Sequence, residues 1–394
     1  MKMLVKSSPI LLIALLVAGY LYWQSSAIAA PVMSASVSSD GRYVLTAHRD
    51  NQLILWDLKE REKSRISGDA NIYSASFVEG NSVFIWQDLS DQVYVQDVSG
   101  QTLDQFMLST PTYGHLMTSD LRDYYFSDIG WGIHHRSENG QIVTLKATDR
   151  KAFRGFGKLL NLSIDSNEQL LLSGGSGEPR GFSEPYYRTL EEERTLAKDY
   201  GRLNSIALWN LGTGKPIAKL NGNKAKTHAT LSPDGKWVIS ADENGNLLFW
   251  DTDKPEEMHL GARDGLGVFQ MGLPEGLESS EYWDDSNIID PPPGVTAPLF
   301  HVSFISKSRY FLRFNNGSHQ AALFKAGNPW PQKYFDLGAS PALVTYGSQY
   351  SRNTAIATSP EAGVLVMGHK SDGGLSVYRF DAQTKTLERT WVVN

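Results

Sequence analysis

The 394-residue chain contains no cysteine. That absence excludes disulfides, thiolate metal sites, cysteine nucleophiles and a lipid-bearing N-terminal cysteine. It also lacks an excess of positive charge: 37 Lys and Arg stand against 43 Asp and Glu, a net charge of −6, so nothing marks an electrostatic footprint for DNA or RNA. No glycine loop of the phosphate-binding kind precedes a helix. Gly174-Gly175-Ser176-Gly177 lacks the glycine two places after the serine that a hydrolase elbow requires. His134-His135 is the only histidine pair, and neighbours in a strand point to opposite faces, so the two do not chelate one ion. Asp284-Asp285-Ser286-Asn287 offers oxygen ligands but matches no calcium-loop spacing. No cofactor and no metal are expected.

Ten Trp, 17 Tyr and 16 Phe are present instead, a supply suited to strands packed face to face. They recur in order. Ser39-Asp40-Gly41-Arg42 leads through Tyr43-Val44-Leu45-Thr46 and Asp50-Asn51 to Leu55-Trp56-Asp57. Ser232-Pro233-Asp234-Gly235 leads through Trp237-Val238-Ile239-Ser240 and Asp242 to Phe249-Trp250-Asp251. A weaker copy ends at Leu208-Trp209-Asn210, and another runs from Ser359-Pro360 to Val377-Tyr378-Arg379. Each reads as strand, tight turn, strand, tight turn, strand. Seven third strands end near Trp56-Asp57, Gln96-Asp97, His135-Arg136, Trp209-Asn210, Trp250-Asp251, Phe324-Lys325 and Tyr378-Arg379, and the uninterrupted intervals are 39 to 41 residues. Repetition at this period predicts an all-β fold: a single seven-bladed β-propeller of four-stranded antiparallel blades over 32–394.

On these residues the chain resembles the WD-repeat family of β-propellers. The resemblance implies a buried network in which an Asp after the second strand bonds a Ser or Thr and a His, and reaches the Trp. Asp50, Thr46 and Trp56 fit those places in the first unit; Asp242, Ser240 and Trp250 fit them in the fifth. Trp209 holds the Trp place in the fourth. The family's Gly-His before the first strand is replaced, ahead of unit five, by Gly222-Asn223. These roles are structural rather than catalytic. Unit one begins at its inner strand and unit seven ends with its own outer strand, so the ring is expected to close without a blade shared between the termini.

Ahead of the repeats, Lys2 and Lys6 precede the uncharged stretch from Pro9 to Trp23, and Ala27-Ile28-Ala29 has signal-peptidase spacing. Residues 1–30 therefore read as an N-terminal apolar export or anchor helix: a cleaved signal peptide, or a single-pass anchor with Tyr20, Tyr22 and Trp23 at the interface. In both readings the repeats are exported, which in a bacterium means periplasmic, or periplasm-facing and anchored in the inner membrane.

The long insertions, 177–203 and 261–298, fall between second and third strands and between blades, and both positions open on one face of a propeller. The first carries Pro185-Tyr186-Tyr187; the second carries Tyr282-Trp283 followed by Asp284 and Asp285. The connection 148–158 is basic and interleaved with aromatics, including Arg154, and 338–352 adds Tyr346 and Tyr350. Aromatic residues and arginine are the usual anchors of protein interfaces. Arg154, Tyr186, Tyr187, Tyr282, Trp283, Asp284 and Asp285 are thus the candidate partner-binding residues. The alternative is that the loops fold over one another and cap the channel. The expected function is non-catalytic binding of a protein partner by a monomer, with membrane contact only through an uncleaved N-terminal segment. Two alternatives are an envelope assembly scaffold and a propeller enzyme or small-ligand binder using the channel.

Overall fold

A computed structural model describes residues 30–110, 112–128, 132–145, 159–175, 206–220, 223, 227–242, 247–260, 301–307, 309–314, 320–328, 330–338, 355–369 and 373–393. The strands form seven four-stranded antiparallel sheets, each from four consecutive segments of chain. Blade one comprises Val32–Val37, Tyr43–His48, Leu53–Asp57 and Glu62–Ser67. The inner strands of the remaining blades are Ala70–Phe77, Thr112–Met117, Leu159–Ile164, Thr227–Leu231, His301–Ser306 and Ile356–Ser359. Successive inner strands lie side by side, and the last lies against the first, so the sheets form a closed ring around a channel. The fold is a seven-bladed β-propeller.

The repeat creates its core at the boundaries. Among the described residues seven large hydrophobic clusters, one at each blade boundary, straddle neighbouring blades, and Val32 and Ala355 form a small eighth. Trp56 packs across the seam between blades seven and one, Trp209 across blades three and four, and Trp250 across blades four and five. Each is almost wholly buried. Burying a side chain of this size contributes about 3 kcal/mol or less relative to exposure, so blade-to-blade contact, not the single sheet, is the stable unit.

The Ser-x-Asp turns fix the register of the inner hairpins. In blade one the Ser38 hydroxyl donates to Asp40 Oδ1 at 2.6 Å, Arg42 N–H donates to the same oxygen, and Tyr43 N–H returns to Ser38 Oγ. Blade five repeats this with Ser232, Asp234, Lys236 and Trp237, and blade three with Thr118, Asp120, Arg122 and Asp123. The next position takes a left-handed φ, 69° at Gly41 and 72° at Gly235, where glycine costs nothing sterically. These turns also bond to one another around one rim. Gly80 N–H donates to Ser39 Oγ, Asn81 to Ser119 O, Ser119 N–H to the Glu168 carboxylate, Ser166 N–H to Pro233 O, and Lys307 N–H to Pro360 O.

The ring closes without a shared blade. The outer strand of blade seven, Thr386–Val393, comes from that blade's own hairpin, and the N-terminal strand is the inner strand of blade one. The seam is held by the Trp56 cluster, by Val32 N–H to His369 O at 3.2 Å and by the Ser359 hydroxyl to Ser39 O at 2.6 Å. Close packing leaves no space there: a Cβ on Gly41 would stand 2.5 Å from that of Ala362, and one on Gly368 2.5 Å from that of Val32.

Candidate functional site

The third strand carries the repeat's Trp, and the second strand carries its hydrogen-bond acceptor. In blade one Trp56 Nε1–H donates to Thr46 Oγ1 at 2.8 Å. Thr46 Oγ1 lies 2.8 Å from His48 Nε2, and His48 Nδ1 lies 2.8 Å from the Ala30 carbonyl. A carbonyl only accepts, so Nδ1 carries the proton and Thr46 donates to Nε2. Burial holds the His48 ring below the ordinary histidine pKa, which keeps it neutral as this network requires.

Asp50 does not join this network. Its carboxylate is exposed and accepts from Gln52 Nε2 at 2.6 Å. The tight turn that bonds Asn51 N–H to His48 O, with Asn51 at φ 65°, carries residue 50 outward and leaves His48 beneath the threonine. In blade four Trp209 Nε1–H donates to Ser173 Oγ at 3.0 Å. In blade five the Ser240 hydroxyl donates to Asn223 Oδ1 at 2.9 Å, so the asparagine that replaces histidine in the sequence is a buried partner. Asp242 ends the second strand, Trp237–Asp242; its side chain lies outside the described residues.

The two rims of the ring differ. Antiparallel order places every first-to-second and third-to-fourth turn on one rim, and every second-to-third turn and blade-to-blade connection on the other. The first rim consists of short turns. The second receives both ends of every long segment: Thr144 and Leu159, Gly175 and Ile206, Leu260 and His301, and Asp336 and Ile356. Arg154, Tyr186, Tyr187, Tyr282, Trp283, Asp284 and Asp285, and the insertions 177–203 and 261–298, lie outside the described residues.

Among the described residues that second rim has an apolar, acidic patch on blade two. Leu89 is 60% exposed at the turn between Val83–Asp88 and Gln92–Asp97, and Met107 is 61% exposed at the end of Thr102–Met107. Backbone bonds join these pieces: Leu89 N–H to Asp69 O, and Leu108 N–H to Asp91 O. Asp69, Asp88 and Asp91 flank the two apolar side chains, and burial followed by the neighbouring Asp88 raises the Asp91 carboxyl above its ordinary pKa. An exposed leucine inside a polar turn, Asp88-Leu89-Ser90-Asp91, was the available sequence signal; it escapes a search for insertions because the turn is short. On the opposite rim Trp330 is 65% exposed in the turn before Pro331–Asp336.

His134 and His135 diverge. His134 stacks on Phe126 and lies 3.1 Å from Thr144 Oγ1, while His135 stacks on Tyr125 and bonds Asp123 at 2.6 Å. Phe126 and Tyr125 are neighbours in one strand, so the rings occupy opposite faces of the sheet.

The family model described as WD domain, G-beta repeat, matches residues 25–57 and 214–251, which contain Trp56 and Trp250 with their second strands. Two of the seven blades thus match the WD-repeat model in sequence, and all seven share its four-stranded antiparallel order. The ring is similar to the β-propeller domain of Cps50 (Swd1) from Myceliophteria thermophila, with a TM-score of 0.56, 10% identity, 93% of this chain covered and 97% of that one. Ribosome assembly protein 4 of Saccharomyces cerevisiae is 37% identical over 59 residues, 14% of this chain. The matched portion spans 11% of that relative's length. WD-repeat propellers are typically non-catalytic scaffolds that bind protein partners, and a rigid ring with variable loops at its rims is the physical basis of that use.

Proposed function

We propose that this propeller is a non-catalytic protein-binding module held outside the cytoplasm, docking its partner on the rim that bears the long insertions. The observation that supports it is the shared rim of the strand ends at Thr144/Leu159, Gly175/Ile206, Leu260/His301 and Asp336/Ile356. Four enlargements on one side of a ring leave the blades complete and concentrate variable surface where a partner would be selected. Arg154, Tyr186, Tyr187, Tyr282 and Trp283 are the proposed anchors. Asp284 and Asp285, with the basic 148–158 connection that opens on the same rim two blades earlier, supply charge complementarity that steers association. The segment before Ala30 exports the domain and, as its aromatic end Tyr20, Tyr22 and Trp23 suggests, stays in the membrane.

Affinity capture with the exported domain from native membranes tests the binding claim. Reversal of Asp284 and Asp285 to lysine should slow association, and the effect should shrink as salt is raised. Unchanged association kinetics at low salt would remove the electrostatic part of the proposal. A mass of the mature chain corresponding to an intact Met1 supports the anchor, and a chain starting at Ala30 opposes it.

A further inference from the structure

Ala30 and Pro31 are built into the insertion rim. Arg49 N–H donates to Pro31 O at 3.0 Å, and His48 donates from Nδ1 to Ala30 O at 2.8 Å. Both bonds sit at the second-to-third turn of blade one, where the inner strand Val32–Val37 starts beside the channel. Whatever precedes Ala30 therefore leaves from this rim, near the ring axis. From Trp23, the end of the uncharged stretch, to Ala30 is seven residues, a reach of about 25 Å at most.

We infer that the insertion rim is the membrane-facing side of the propeller and that its partner is an integral protein of the same membrane. This rests on the proposed retention of the N-terminal segment. The length of the tether decides between partner classes. A soluble domain of 100 residues, with a radius of gyration of about 13 Å, is about 34 Å across. It does not fit between a bilayer and a rim held within about 25 Å of it. A protein already in the bilayer needs no such gap, and confinement to one membrane raises its effective concentration at the rim. The described part of the rim disfavours lipid itself. Leu89 and Met107 are exposed there, but Asp69, Asp88 and Asp91 flank them with carboxylates that anionic headgroups repel. A protein surface can cover the two apolar side chains while donating hydrogen bonds to those carboxylates. The opposite rim, a strand of six residues or about 20 Å farther out, points away from the membrane.

The absence of native cysteine makes the test direct. Full-length chains carrying Ser90→Cys, on the insertion rim, or Gln383→Cys, on the opposite rim, are labelled with a fluorescent donor. They are reconstituted into vesicles of phosphatidylethanolamine and phosphatidylglycerol containing an acceptor-labelled headgroup. Energy transfer from position 90 is expected to be several-fold more efficient than from position 383. Equal or reversed transfer in a chain that remains bound to the vesicles overturns the orientation and leaves the anchor standing. A mature chain that starts at Ala30 and does not float with vesicles overturns both. Partner class is read with a photoreactive residue replacing Leu89 in cells. An adduct with a polypeptide that spans the membrane supports the inference. No adduct, or adducts only with lipid or with a soluble protein, overturns it.

Discussion

Thr46 and Ser173 occupy equivalent places on second strands, and each accepts an indole N–H from its neighbouring third strand. The indole is large enough to fill a blade boundary but brings a donor that burial would otherwise strand, at a cost of about 1–3 kcal/mol. A short hydroxyl answers it without displacing the strand. Trp250→Ala should lower the free energy of unfolding by roughly 3–5 kcal/mol through the cavity left between blades four and five. Denaturant titration reads this, and an unchanged midpoint would contradict the assignment. His115 presents a separate residue-scale test. It is buried, its Nδ1 lies 3.0 Å from the Tyr124 hydroxyl, and desolvation pushes its pKa down to about 3. The unfolded chain binds the proton first, so the stability contributed by the neutral ring is present above about pH 6.5 and falls as pH drops toward 3, by about 1.4 kcal/mol per unit. His115→Gln should flatten the slope of stability against pH by about one proton between pH 6 and 4. Glu79 behaves oppositely: burial, then Glu361 and Glu168, raise its pKa, so Glu79→Gln should raise the melting temperature at pH 7 and leave it unchanged near pH 3.

At the scale of the element, the inner hairpin is specified by its turn. Asp234 Oδ1 takes the Ser232 hydroxyl and the Lys236 N–H, so Asp234→Ala should cost about 2 kcal/mol, measurable by thermal or denaturant unfolding. Such turns were legible in the sequence because their chemistry is local: Ser-x-Asp-Gly dictates both the hydrogen bonds and the left-handed φ. Third strands were legible for the same reason, since each ends in a turn. Six of the seven end where the pattern put them, and the last, Leu375–Asp381, runs two residues beyond Arg379 because its pairing with the long outer strand continues to Thr386. The network in blade one was only partly legible. Thr46 and Trp56 follow from spacing, but whether Asp50 or His48 lies beneath the threonine depends on the direction the chain leaves the strand. That direction is set by Asn51 at positive φ. The patch at Leu89 and Met107 was not legible as a unit, because its halves are brought together by backbone bonds to Asp69 and Asp91 from separate elements.

At the scale of the whole molecule, closure is the weak point of a ring in which no strand crosses the seam. Packing of Trp56 against Val366, Val377 and their neighbours takes the place of a shared blade. Gly41→Ala places a methyl 2.5 Å from Ala362 at a φ of 69° and should therefore destabilise the whole ring, by about 2–4 kcal/mol. The two rims are the other whole-molecule property. One is girdled by turn-to-turn hydrogen bonds and shows Trp330; the other receives the long segments and shows Leu89. The most direct measurement compares them in one capture experiment from native membranes, after circular dichroism has established that all variants fold. Binding should be lost by about thirtyfold or more when Tyr282 and Trp283 are both replaced by alanine, and retained when Trp330→Ala and Asn81→Ala alter the opposite rim. Retention in the first pair and loss in the second would contradict the account.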